Sequence, residues 1–167
     1  MKVRMSVVAA GAAVVVGTTG ALVAPGVASA SSTVAAAKFS GCLVTNTQGI
    51  RKAFNKVAWQ GMQAAAAAEP SKIEVRFLAS QTVSAYAPNI DTFLVENCRL
   101  IVTVGPSSAM AQVTELAAKN NPTFRFAIVG CSYASGCLAS PKLKNLVPVK
   151  DSASAVKALV LARANGT

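Results

Sequence analysis

The chain has 167 residues, of which 16 are Lys or Arg, six are Asp or Glu and none is His, giving a formal charge of +10 at pH 7. One domain fits that length, and the lack of imidazole excludes Ser-His and Cys-His nucleophiles. The cations are spread along the chain in runs of at most two, without interleaved aromatics. They read as a solvated basic surface, or one facing anionic wall polymers or lipid headgroups, and not as a nucleic-acid reader.

Residues 1–30 have the pattern of a secretory signal peptide. Lys2 and Arg4 precede an apolar run from Met5 to Val16, and a weaker one continues to Ala24. Pro25-Gly26 breaks it, and Ala28-Ser29-Ala30 supplies a small-residue cleavage site. An uncleaved anchor is the alternative, because Met5–Ala24 nearly matches a bilayer span; Gly17-Thr18-Thr19-Gly20 interrupts it. No Cys ends the run, which argues against a lipid anchor. The expectation is a secreted protein, cleaved after Ala30, with its formal charge reduced by two.

Residues 31–38 are rich in Ser and Ala and read as a flexible lead-in. Cys42–Thr45 is a short strand ended by the turn Asn46-Thr47-Gln48-Gly49. Arg51–Ala68 is helical, with Phe54, Ala58, Met62 and Ala66 recurring every four residues. Pro70 ends it. Ile73–Leu78 is a second strand, and Ala87–Asn97 a second helix with Pro88 in its first turn. Leu100–Val104 is a nearly continuous apolar run, as expected of a strand covered on both faces. Gly105-Pro106-Ser107-Ser108 turns the chain into a helix at Ala109–Lys119, with Met110, Val113 and Ala117 on one stripe. Phe124–Val129 is the fourth strand, Gly130–Asn145 a loop, Leu146–Val149 a short strand, and Ala153–Ala164 a last helix capped by Asp151 or Ser152.

Alternating strands and helices predict an α/β lobe over 39–150 with a parallel sheet and helices on both faces, followed by a terminal helix in 151–167. Ligands of such sheets sit at the carboxyl ends of the strands. Those ends are Asn46–Gly49, Gly105–Ser108 and Gly130–Ser132.

The four cysteines, Cys42, Cys98, Cys131 and Cys137, lack the CxxC spacing of a metal site. An even number in an exported chain points to disulfides, with three connectivities open. Cys131 and Cys137 bracket a short loop containing Gly136, so that pair closes easily and leaves Cys42 with Cys98.

The segments Cys42-Leu43-Val44-Thr45-Asn46, Gly49-Ile50 and Phe54–Met62 resemble the opening of the basic membrane protein (BMP, PnrA-like) family, the nucleoside-binding components of ABC importers. The resemblance continues, in register, through Tyr86–Ile90, Cys98–Gly105 and Asn121–Val129. It implies a type I periplasmic-binding architecture of which this sequence carries the first lobe. Leu146–Val149 then matches the hinge crossing, and the second lobe is expected elsewhere or lost. The last helix, with Val156, Leu159, Val160 and Leu161, is expected either to fold back on its own sheet or to mediate self-association.

The resemblance also implies a site, with departures. Asn46 and Gly130 stand where the family has acidic residues, and Arg51 and Lys52 follow the Gly-Ile step where acids are usual. Phe54 matches the residue that stacks on the nucleobase and Asn55 one that hydrogen-bonds to it; each could equally be core and cap. Gly105 and Ser107 complete the ligand-binding set, although Ser107 also reads as an ordinary helix cap. The function implied is an exported, nucleoside-type substrate-binding module that binds weakly or has lost its ligand. Its partners would be a nucleoside-like small molecule and an ABC permease or second lobe. The alternative is an extracellular structural or interaction protein, homo-oligomeric through its exposed face. Neither an enzyme nor a cofactor or nucleic-acid site is expected.

Overall fold

The computed structural model describes residues 37–139 and 143–167. The signal-peptide segment and most of the lead-in therefore lie outside the described residues. Within them the chain forms β1 (Phe39–Val44), α1 (Ala53–Ala68), β2 (Ile73–Leu78), α2 (Tyr86–Val95), β3 (Leu100–Val104), α3 (Ser108–Asn120), β4 (Arg125–Val129), β5 (Leu146–Val149) and α4 (Ala153–Ala164). All strand pairs are parallel, in the order β2-β1-β3-β4-β5.

The central strands are mainly apolar because both faces are covered. On one face Cys42, Val44, Ile101, Phe126 and Ile128 meet Tyr86, Ile90 and Phe93 of α2 and Met110 and Ala111 of α3. On the other, Leu43, Val102, Val104, Ala127 and Val129 meet Ala58, Met62 and Ala65 of α1 and Val156 and Val160 of α4. Strand alternation assigns each residue to its face. The edge strand β2 keeps Glu74 and Arg76 among its apolar residues, a charged edge that discourages further strand pairing.

Element boundaries differ from the expectation by two residues or more at three places. β1 begins at Phe39, three residues early, because Phe39 N–H donates to Lys72 O and residues 39–44 pair with 73–78. α1 begins at Ala53, because Lys52 keeps extended angles as its N-cap. α2 ends at Val95, since Asn97 adopts φ 59° and turns the chain toward β3.

The terminal helix is not left without a partner. α4 lies on α1, with Val156 and Val160 fully buried. Gly61 makes the approach possible: a Cβ there would lie 2.5 Å from Ala153 O and 2.7 Å from Val156 Cβ. Of the two outcomes anticipated for this helix, the structure takes the fold-back, and the exposed large apolar side chains lie elsewhere, at Phe77, Val83, Val95 and Leu116.

Two disulfides join Cys42 to Cys98 and Cys131 to Cys137. The first ties β1 to the turn before β3 inside the core. Buried Asn145 is paired: its Nδ2 donates to the carbonyls of Ala118, Asn121 and Phe124, closing the α3–β4 turn onto β5. Replacing Asn145 by Leu would strand these carbonyls and should cost about 1–3 kcal/mol of stability, readable as a lower urea midpoint.

Candidate functional site

The strand order reverses at β1, which is followed in sequence by β2 on one side while β3 lies on the other. Chains leaving β1 and β3 diverge there, and the crevice between them is where open α/β sheets place ligands. Asn46 follows β1 and Gly105 follows β3. They meet: a Cβ on Gly105, whose φ is +120°, would stand 2.9 Å from Asn46 Nδ2. Glycine is required there for both the angle and the approach.

Asn46 is held by a network that fixes its orientation. Asn55 Oδ1 accepts the Asn46 N–H at 3.1 Å, so the other end of the Asn55 amide must be the donor. That Nδ2 donates to Asn46 Oδ1 at 2.7 Å and to Gly49 O at 3.0 Å. Asn46 Oδ1 also accepts the Gln48 N–H at 3.0 Å. Backbone groups thus dictate both amides, and Asn46 Nδ2 lies beside Gly105 with no hydrogen-bond acceptor among the described residues. Asn46 is 8% exposed and Asn55 is fully buried. Every polar atom of Asn55 is used inside the β1–α1 turn, so it acts as the scaffold of Asn46 and does not reach the crevice surface.

Phe54, on the first turn of α1, is half-buried and lies across Gly130 at the end of β4. A Cβ on Gly130 would stand 2.7 Å from Phe54 Cδ1 and 2.9 Å from Cε1. The positive φ of +79° at Gly130 excludes a side chain in any case. Ser107 accepts Met110 N–H and caps α3, which occupies its hydroxyl in the manner of an ordinary N-cap. The structure therefore brings Asn46, Phe54, Gly105 and Gly130 to one edge, with Asn55 behind them and Ser107 at the start of α3.

Next to Gly130 a cavity of about 430 Å³ runs along Ser132, Ser135, Pro148 and Lys150. Tyr133, in the same loop, has its phenol pKa raised by partial burial and by the Glu115 carboxylate. A larger concavity, about 880 Å³, opens at the opposite edge among Lys38, Lys72, Arg99, Arg125 and Arg163. Of these cations only Arg163 lies in the last turn of a helix, where it offsets the negative end of the dipole. This concavity lies at the amino ends of the strands, and because open α/β sheets bind at the carboxyl ends, the edge with the topological switch is the better candidate despite its smaller cavity. Among the described residues no group of acidic or cysteine side chains is placed to hold a metal ion.

These features define one α/β lobe of the periplasmic-binding type. The family described as ABC transporter substrate-binding protein PnrA-like matches residues 46–152. The chain belongs to that family, one of substrate-binding proteins and not of enzymes. Among solved structures, it is similar to a fragment assigned as a lipoprotein from Peptoclostridium difficile 630, with TM-score 0.62 and 22% identity over 77% of this chain and 98% of that one. It is also similar to an ABC transporter solute-binding protein from Aeropyrum pernix K1, with TM-score 0.53 and 19% identity over 66% of this chain. The chain spans 28% of the length of that protein. No curated protein matches. Among the described residues no helix is long and apolar enough to cross a membrane.

The Asn46–Asn55 pairing was not legible beforehand. Its signal is the spacing of nine residues between Asn46, just past the end of β1, and the third residue of α1, which places both amides on one turn.

Proposed function

We propose that this lobe is one wall of a clamshell that receives a small nucleoside-like solute at the carboxyl ends of β1, β3 and β4, in an exported protein serving an ABC importer. The observation that supports it most is the meeting of Asn46 with Gly105 at the β1/β3 switch, with Phe54 packed on Gly130 beside it. In this reading Phe54 offers ring surface to a base, Asn46 Nδ2 donates to the sugar or base, and the bare glycine backbones let the solute approach. A second lobe supplies the opposing wall.

One wall leaves much of the solute in water, whereas a complete pocket typically buries over ~70% of it. An intact clamp of micromolar affinity has about −8 kcal/mol of binding free energy; keeping half of it leaves a dissociation constant near the millimolar range. Stacking on Phe54 contributes about 1–3 kcal/mol of that remainder. Calorimetry of the chain with adenosine, guanosine, inosine and uridine should accordingly show weak binding that Phe54→Ala abolishes. Binding unaffected by Phe54→Ala would place the solute elsewhere.

Export rests on the residue 1–30 pattern. N-terminal sequencing of secreted protein should begin at or near Ser31, and a mature species retaining Met5–Ala24 would refute it.

A further inference from the structure

The rim of the crevice is positively charged in a way that helix formation alone disfavours. α1 starts at the crevice with Lys52 as an N-cap that makes no side-chain capping bond, and its first turn contains no acidic residue. The first turns of α2, α3 and α4 contain none either. Arg51, Lys52 and Lys56 instead crowd the start of α1, all exposed and, among the described residues, without an acidic partner. Cations belong at the other end of a helix, since the N-terminal N–H groups already carry partial positive charge. Departures from local preference concentrate where a structure serves function.

A second observation points the same way. Asn46, more than nine-tenths buried, has an Nδ2 beside Gly105 with no acceptor among the described residues, and its orientation is imposed by the backbone N–H groups of Asn46 and Gln48. The crevice thus offers an amide donor, the open N–H groups of α1 and the Arg51 and Lys52 side chains, with its one hydrogen-bonded Asn46 oxygen turned inward. Such a set recognises an acceptor that carries negative charge.

Resting on the solute-binding reading above, we propose that the solute carries an oxyanion, a phosphate monoester or carboxylate, seated between Asn46 Nδ2 and the start of α1 with Arg51 and Lys52 as counter-charges. Asp151, a carboxylate near this edge, follows β5 and lines the neighbouring cavity together with Gly130 and Lys150.

The test compares adenosine with adenosine monophosphate on the full chain by calorimetry at low ionic strength. The expected result is binding of the monophosphate roughly ten- to a hundredfold tighter than adenosine, as charge-assisted hydrogen bonds supply, with the advantage shrinking as salt is added. Arg51→Gln combined with Lys52→Gln should remove most of that advantage. Asn46→Asp, which keeps the oxygen that Gln48 and Asn55 require, should reverse the preference. Equal or tighter binding of adenosine by the unaltered chain would overturn the oxyanion while leaving the solute-binding reading in place. A monophosphate advantage insensitive to Arg51→Gln and Lys52→Gln would overturn it as well. No binding of either compound would overturn both.

Discussion

Replacing Cys42 and Cys98 together by alanine should lower the unfolding free energy by about 4 kcal/mol, twice the effect of removing Cys131 and Cys137. The reason is the unfolded chain. The first bridge closes a separation of 56 residues and the second one of 6, and the entropy removed from the unfolded ensemble grows with loop length. Location adds to the contrast. Cys42 and Cys98 are completely buried, with Cys42 on the central strand β1, so truncation also leaves space in a close-packed core. Cys131–Cys137 staples an outlying loop next to the candidate site. Urea unfolding of the two double variants, under conditions that keep the other bridge oxidised, measures both values. Equal losses would show that the core bridge acts through some other route than chain entropy.

The second large effect concerns Gly61, where the sign itself is informative. In the middle of a helix, Gly→Ala ordinarily stabilises by about 1 kcal/mol through helix propensity. Here the new methyl group would press on the backbone oxygen of Ala153 and on Val156. Neither can swing aside, because Ala153 O belongs to the α4 main chain and Val156 is fully buried. Gly61→Ala should therefore destabilise, by about 1–3 kcal/mol, as overpacking does. Gly61→Val should do so more strongly. A higher urea midpoint for Gly61→Ala would mean that α4 does not sit on α1 as described.

These two effects differ in how far they could be read in advance. The disulfide partners followed from export, an even count and the short 131–137 interval. The contact of α4 with α1 did not, because Val156, Leu159, Val160 and Leu161 form a wide apolar band with no sharp face. Such a band fits a foreign lobe as well as a neighbouring helix. In sequence Gly61 is one residue of the Phe54–Met62 segment, while its role as the notch for α4 is a property of two helices brought together by the sheet. The strands at 73–78, 100–104 and 146–149 were legible to the residue, since alternation and continuous apolar runs reflect edge and central positions in a sheet. The start of β1 was missed because Ser40 and Gly41 are weak strand formers, and pairing with β2 recruits them.

The candidate site was legible in its positions and less so in its chemistry. Strand ends located Asn46, Gly105 and Gly130 without any structure, through the rule that ligands meet the carboxyl edge. The division of labour between Asn46 and Asn55 needed coordinates. Both are amides near the same turn, and which one faces outward is decided by the hydrogen bonds of Asn46, Gln48 and Gly49. The positive angles at Gly105 and Gly130 likewise explain why these positions are bare. An acidic side chain at position 130 would displace the Phe54 ring.

The placement of the site at the carboxyl edge is tested most directly by titrating isotopically labelled protein with adenosine and following the backbone amides by NMR. Binding at the proposed crevice should shift Asn46, Gly49, Phe54, Gly105 and Gly130 together, saturating at roughly millimolar solute, while Lys38, Arg99 and Arg125 at the opposite edge stay still. Shifts confined to that opposite basic concavity, or none at all up to the solubility limit, would contradict it.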